Sequence, residues 1–371
     1  MLKKNWLEVQ DRYRAFWRNE PVDRPPVIFD TIGSWCHPMY NGAGYDYTRY
    51  GTDITTFCHD FRAVWEARAD VPDDTVPCIA PQMGGAIEAS LLAGDIEWGE
   101  ELSMLTPHNP LEKCEDLRGI RFRFDNPHFT RIRRELEYLS AASHGDFGIN
   151  VEASMSLTTT ISQLRGGMQF MFDVMDRPNE VRALAETALE ALLALQAEVV
   201  RLNPLAEDTA HRWLNYWHPG TGFWFSEDDA VMLSAAMYHD LFLDLDMRLC
   251  AGVDIAVAHW HTVGLHLLPS LLEIPNLRMI QLSPDPNGPD FETVLAACRT
   301  IVETGRKVCF QIGYEENRIR QIFATLPPDA CMFYFGYAND ARDAGRIVGE
   351  VARLADGRSV YGKEGHVHGI R

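Results

Sequence analysis

Apolar residues recur at helical spacing from the start of the chain. Val9, Tyr13, Phe16 and Trp17 fall on one face of residues 7–18, which predicts an amphipathic helix. Asn19-Glu20-Pro21 stops it, and Val27-Ile28-Phe29-Asp30 reads as a short buried strand ending in a carboxylate. Residues 33–127 are irregular and rich in Gly and Pro, with helical periodicity near 55–68 and 88–92. Past Arg131 the texture becomes regular. Strands are predicted at 147–153, 211–217, 254–260, 277–282, 307–312 and 331–335. Helices are predicted from about 160, and at 179–202, 233–250, 265–272, 291–304, 315–324 and 340–354.

Short apolar strands separated by amphipathic helices require a parallel sheet with helices packed outside it. The strand count from Val27 onward is close to eight. The expected fold is therefore α/β, a single (β/α)8 TIM barrel over residues 1–371 with an N-terminal helical extension and insertions in its first third. No G-x-G-x-x-G or G-x-x-x-x-G-K-[ST] turn opens a helix, which removes the usual nucleotide folds.

Charge narrows the partners. With 53 acidic and 34 basic residues the 371-residue chain carries a formal net charge of −19, which argues against nucleic acid and, less strongly, against anionic membranes. The first residues lack the apolar run of a secretory signal. The longest uncharged stretch, residues 255–272, holds His259, His261, His266 and Pro269 and reads as a buried strand plus a helix, not a membrane span. The eight cysteines are scattered without a C-x-x-C pair and are expected to be reduced core residues. A soluble cytoplasmic protein is expected.

In a barrel of this kind, chemistry sits at the C-terminal ends of the strands. That rule selects Asp30, Glu152, Tyr216-Trp217-His218, His259-Trp260-His261, Gln281, Tyr314-Glu315 and Tyr337, together with the loop Ser226-Glu227-Asp228-Asp229. Asp30, Glu152, Glu227 and His259 are the candidate catalytic groups, because acid–base chemistry needs carboxylates and imidazole on one rim. The acidic loop also reads as a helix N-cap. His259 and His261, two apart on a strand, point the same way and are the candidate metal ligands. His266 reads as structural, and the His366-x-His368 tail is discounted as terminal. Tyr216, Trp217 and Trp224, with Trp213, Phe223 and Phe225 nearby, form an aromatic wall; with Asp228, Gln281 and Tyr337 they are the candidate substrate contacts. The bland alternative is that the wall is core packing.

These residues resemble the uroporphyrinogen decarboxylase superfamily, which includes zinc- and cobalamin-linked methyltransferases. Val22-Asp23-Arg24-Pro25-Pro26-Val27 is similar to its entry to strand one. Residues 149–154, Gly166-Gly167 and Asp176-Arg177-Pro178 are similar to its strand–helix segment, and Ser226-Glu227-Asp228-Asp229 to its acidic loop. His259-x-His261 stands where members carry H-x-C-G or H-x-D-G. The resemblance implies a TIM barrel, a small-molecule substrate, a homodimer, and methyl transfer or demethylation linked to a corrinoid protein, with zinc or another divalent metal.

Two departures reshape that expectation. The namesake enzymes hold their porphyrinogen carboxylates with arginines on strand one, whereas Phe29-Asp30-Thr31-Ile32-Gly33 offers a carboxylate there. Carboxylate cannot clamp carboxylate. The family's zinc thiolates are also missing, since His261 replaces the first Cys and Phe335-Gly336-Tyr337 ends the last strand. A harder site of His259, His261 and Glu152 or Asp30 is the expected replacement. The alternatives are a cofactor-independent decarboxylase or lyase, with Asp30 stabilising a protonated intermediate, and a non-catalytic ligand-binding barrel.

Overall fold

A computed structural model describes residues 1–33, 53–81, 87–93, 96–98, 105–107, 109–151, 155–203, 205, 209–211 and 215–364. Glu152, Trp213 and the His366–His368 tail lie outside the described residues. In chain order the elements begin with α1 (Trp6–Trp17), β1 (Val27–Ile32), α2 (Ile54–Ala67), β2 (Cys78–Ile79), α3 (Ile87–Leu92), β3 (Ile96–Trp98) and β4 (Leu105–Pro107). There follow α4 (Pro127–Ser143), β5 (Gly148–Ile149), α5 (Leu157–Arg165), α6 (Gly167–Asp176), α7 (Pro178–Leu202), β6 (Thr209–His211), β7 (Tyr216–His218) and β8 (Gly222–Ser226). The last part holds α8 (Ala235–Tyr238), α9 (Asp244–Cys250), β9 (Ile255–His261), α10 (Leu268–Leu271), β10 (Leu277–Ser283) and α11 (Phe291–Glu303). It closes with β11 (Lys307–Ile312), α12 (Glu316–Thr325), β12 (Cys331–Ala338) and α13 (Ala341–Glu364). Among the described residues no helix is long and apolar enough to cross a membrane.

Six strands form one parallel sheet in the order β1-β12-β11-β10-β9-β8, and β2 pairs in parallel with β5. The continuous eight-stranded ladder expected from the sequence is thus replaced, among the described residues, by a six-stranded sheet and a separate pair. The reason is local. Pro77 and Pro81 bracket β2, and a residue without an N–H cannot extend a ladder. Side chains stitch that edge to β1 instead: Val27 N–H donates to Asp74 Oδ2 at 2.8 Å and Phe29 N–H to Thr75 Oγ1 at 3.1 Å. The strand predicted at 211–217 is two short antiparallel strands, β6 and β7, and the sheet strand is the aromatic β8 that follows.

Strand alternation sorts the core into two layers. Outward-facing Ala256, Ala258, Ile280, Leu282, Val308, Phe310 and Phe333 pack under the helices. Inward-facing Ile28, Trp224, Val257, Met279, Cys309 and Met332 fill the concave side of the sheet, the lumen, together with Val9, Tyr13, Phe16 and Trp17 of α1. The helix plugs the N-terminal end: Lys307 Nζ, at the start of β11, lies 4.8 Å from the Phe16 ring, and Arg278 of β10 donates to the Trp17 carbonyl. Buried ion pairs tie the plug down. Asp74 accepts from both Arg12 and Arg24, and Lys3 meets Asp73 at 2.6 Å.

At the same end Gly222 has no room for a side chain. A Cβ there would lie 2.3 Å from His218 Cε1 and 2.5 Å from the Ile255 carbonyl oxygen. Gly222→Ala is therefore expected to lose about 2–3 kcal/mol to overpacking, read as a lower urea midpoint. His218 is fully buried, and burial pushes its pKa down to about 4. The unfolded chain takes up this proton near its ordinary value, about 6.5, whereas the folded chain refuses it until about 4. The stability contribution is therefore complete above the unfolded value and falls as pH drops through that window. Urea midpoints compared above and within the window check this, and His218→Asn is expected to flatten the difference.

Candidate functional site

The C-terminal end of the sheet carries the polar groups. Along β9 the inward positions run Ile255, Val257, His259, His261, so the apolar lumen gives way to two imidazoles as the strand reaches the rim. On β10 the next inward residue beyond Met279 is Gln281, and on β11 the one beyond Cys309 is Gln311. Asp30 follows Ile28 on the inward side of β1 and is half-buried. β8 delivers Ser226 opposite His259, and the 3-10 turn Asp228–Met232 then brings Asp228 over the lumen mouth.

Three groups converge. One ligand atom from each of Asp228, His259 and His261 lies within 4.8 Å of the others. Asp228 Oδ1 is 3.9 Å from His259 Nε2 and 3.6 Å from His261 Nε2, and the two rings stand perpendicular with centroids 5.0 Å apart. The outer ring nitrogens are taken. His259 Nδ1 lies at hydrogen-bond distance from Gln281 Oε1, and His261 Nδ1 lies 2.7 Å from Asp285 Oδ1. Asp285 also accepts from Val263 N–H and the Thr262 hydroxyl at 3.0 Å each, while Ser226 donates to Asp228. Trp224 packs edge-on beneath His259 at 5.0 Å.

Electrostatics sharpen the picture. Burial pushes His259 below its ordinary value against the pull of Asp228, so the imidazole is neutral with a lone pair to offer. Burial works against a charge on Asp285, but the Val263 N–H, the His261 ring and the Thr262 hydroxyl together hold its carboxyl below the usual range.

Glu227 plays another part. It is fully buried and accepts from Leu157 N–H at 2.6 Å, Thr158 N–H at 2.9 Å and the hydroxyls of Ser156 and Thr158. It therefore caps α5, a different helix from the turn it precedes, where its side chain makes no capping bond. Burial, partly offset by these donors, pushes Glu227 up to about 7. Close by, Tyr238 donates to the buried Asp246 at 2.5 Å.

The sequence-predicted residues thus fall into groups. His259, His261, Asp228, Gln281 and Trp224 come together, and Asp30 faces the same lumen. Tyr216 and Trp217 are buried at the opposite end, where Trp17 Nε1–H donates to the Trp217 carbonyl at 2.9 Å and Trp6 meets the Trp217 ring edge-on. Tyr337 is exposed near the end of β12. His266 donates to the Leu233 carbonyl at 2.9 Å. The seven described cysteines are free, and Cys309 is buried against the α1 plug, below the rim. Asp285 and Gln311 went unread in the sequence. Asp285 lies two residues past the end of β10, so the strand-end rule that selected Gln281 was the available signal.

A parallel sheet with a polar rim at its C-terminal end is the layout of TIM-barrel-type enzymes, and a solved methyltransferase shares the fold. A methyltransferase from Methanosarcina mazei superposes with a TM-score of 0.64 at 12% identity, covering 93% of this chain and 98% of that one. A B12-independent methionine synthase from Shewanella sp. W3-18-1, in complex with selenomethionine, matches with a TM-score of 0.48, also at 12% identity, over 92% of this chain and 98% of that one. No family model matches the sequence, and no curated protein matches it. The likeness to the Methanosarcina mazei methyltransferase is one of fold.

Proposed function

We propose that the chain is a methyl-transfer enzyme, a divergent relative of the uroporphyrinogen decarboxylase and cobalamin-dependent methyltransferase superfamily, acting on a small organic molecule at the rim. The observation that carries this reading is the convergence of Asp228, His259 and His261 within 4.8 Å at the mouth of the sheet. The methyltransferase fold sets the reaction class to test. In this reading β2 and β5 stand between β1 and β8 and complete a ring of eight strands.

Among the described residues the cysteines lie away from the rim and do not make the thiolate-rich zinc site that the resemblance implies. Two neutral imidazoles and a carboxylate do fit zinc or another borderline divalent ion. His259 and His261 would hold it through Nε2 and Asp228 through Oδ1. When bound, such an ion would supply Lewis acidity that makes a substrate O–H or S–H a better methyl acceptor. Asp30, facing the same lumen, takes the acceptor's proton. Trp224 and the α1 plug close the lumen from below, so substrate enters from the rim. Among the described inward-facing residues above Met279, none is Lys or Arg, which suits a neutral substrate and disfavours a polycarboxylate. A corrinoid protein as methyl donor accords with this reading.

The test loads purified protein with Zn2+, adds methylcobalamin with a panel of small thiols and alcohols, and follows loss of the corrinoid methyl group by its visible spectrum. One zinc per chain and zinc-dependent demethylation are expected. Failure to retain zinc on dialysis would overturn the site. Retained zinc without methyl transfer from the corrinoid would overturn the reaction.

A further inference from the structure

We infer that Gln311, acting through Gln281, and Asp285 are positioning residues that fix the tautomers of His259 and His261 so that both Nε2 lone pairs face Asp228. The inference gains its purpose from the metal-site reading above, but its geometry stands separately.

A neutral imidazole has one N–H, and which nitrogen carries it is set by the partner of the other. His259 Nδ1 faces Gln281 Oε1, an atom that only accepts. That orientation of the Gln281 carboxamide is itself held from the far side, where Gln281 Nε2–H donates to Gln311 Oε1 at 2.7 Å. The three side chains form a directed chain from β9 through β10 to β11, in which each acceptor oxygen leaves the previous group one way to point. Gln281 is fully buried, so a reversed carboxamide would set its oxygen against Gln311 Oε1 and have no water to repair the loss. His261 is governed independently. Asp285 Oδ1 accepts from its Nδ1, and Oδ2 is anchored by Thr262 and Val263. With Oδ2 taken by these two donors, Oδ1 is the atom left to accept at Nδ1, and His261 presents its N–H there. Two unrelated partners, a carboxamide pair and a carboxylate, thus enforce one outcome. Outer-shell acceptors of this kind set the direction and basicity of imidazole ligands.

The tautomers are readable without metal by two-dimensional 15N–1H NMR of the full-length protein labelled at histidine nitrogen, at mildly alkaline pH, with His259→Asn and His261→Asn assigning the signals. Wild type is expected to show both residues protonated at Nδ1. Gln311→Glu still offers an acceptor to Gln281 and is expected to leave His259 unchanged. Gln311→Met, of similar length but without an acceptor, is expected to release His259 into a tautomer mixture while His261 stays as it was. Asp285→Ala is expected to do the reverse. Competition with a chromophoric chelator is expected to show Zn2+ affinity falling about 10- to 100-fold in Gln311→Met and recovering in Gln311→Glu. An Nε2-protonated histidine in wild type, or a His259 signal indifferent to Gln311→Met in a variant with wild-type melting, would overturn the inference. Wild-type protein that binds zinc no better than His259→Asn would overturn the metal reading and leave the tautomer assignment standing.

Discussion

His259→Asn is expected to lower Zn2+ affinity by more than about 100-fold, beyond what loss of an outer-shell partner costs, and to abolish zinc-dependent methyl transfer. The substitution separates ligation from packing. An asparagine amide nitrogen sits close to where Nδ1 of histidine lies, so it still donates to Gln281 Oε1, and only the Nε2 end that faces Asp228 is deleted. Melting is expected to stay near that of wild type. Calorimetric titration with Zn2+, paired with a thermal melt, decides the matter. Undiminished zinc binding would show that the imidazoles ligate nothing, and a collapsed melt would show that His259 is chiefly a core residue.

Asp74→Ala is expected to be the most damaging substitution for stability, at about 3–5 kcal/mol. The Asp74 side chain is fully buried and receives Arg12, Arg24 and the Val27 N–H. Its removal leaves two guanidinium groups without their shared counter-charge, and breaks a stitch between β1 and the segment leading to β2. The α1 plug is the element most exposed to that loss, since Arg12 lies on it and Tyr13 donates to the Asp74 carbonyl. The control is Asp70→Ala. Its partner is Lys4, both side chains are about three-quarters exposed, and such pairs contribute at most about 1 kcal/mol. Urea midpoints for the two variants are expected to differ several-fold in their shift. Comparable shifts would mean that the buried network is not what holds the plug.

From β9 onward the strands are legible because each obeys one rule. Residues 307–312 carry the apolar run Val308-Cys309-Phe310 shortly after Gly305 and match β11 residue for residue. The four apolar positions expected on the first helix are the four that α1 buries. Legibility fails where bonds replace pattern. β2 is two residues long, and the segment before it is joined to β1 by the Asp74 and Thr75 side chains, an arrangement with no periodicity to read. β8, Gly-Phe-Trp-Phe-Ser, has aromatic residues on both faces, so it reads as a pocket wall before it reads as a strand. The site was half visible. His259 and His261 declare themselves by spacing, and Asp228 by its acidic loop. Gln311 and Asp285 matter through what they accept from, and only folding decides that. Glu227 shows the same limit: a carboxylate in a capping motif does cap a helix, but one that begins some seventy residues earlier in the chain.

The pairing of the first strand with the last has a consequence for how the molecule is made. Val27 of β1 lies beside Phe333 of β12, so β1 has no ladder partner on that side until nearly the whole chain has been synthesised. At roughly 5–20 residues per second, about 300 intervening residues leave that edge uncovered for some 15–60 s on the ribosome. Edges of this kind recruit other chains. Asp74 and Thr75 emerge within the first quarter of translation and bond to β1 from its other side. The same side-chain stitches that interrupt the regular ladder also give the nascent strand its first partner.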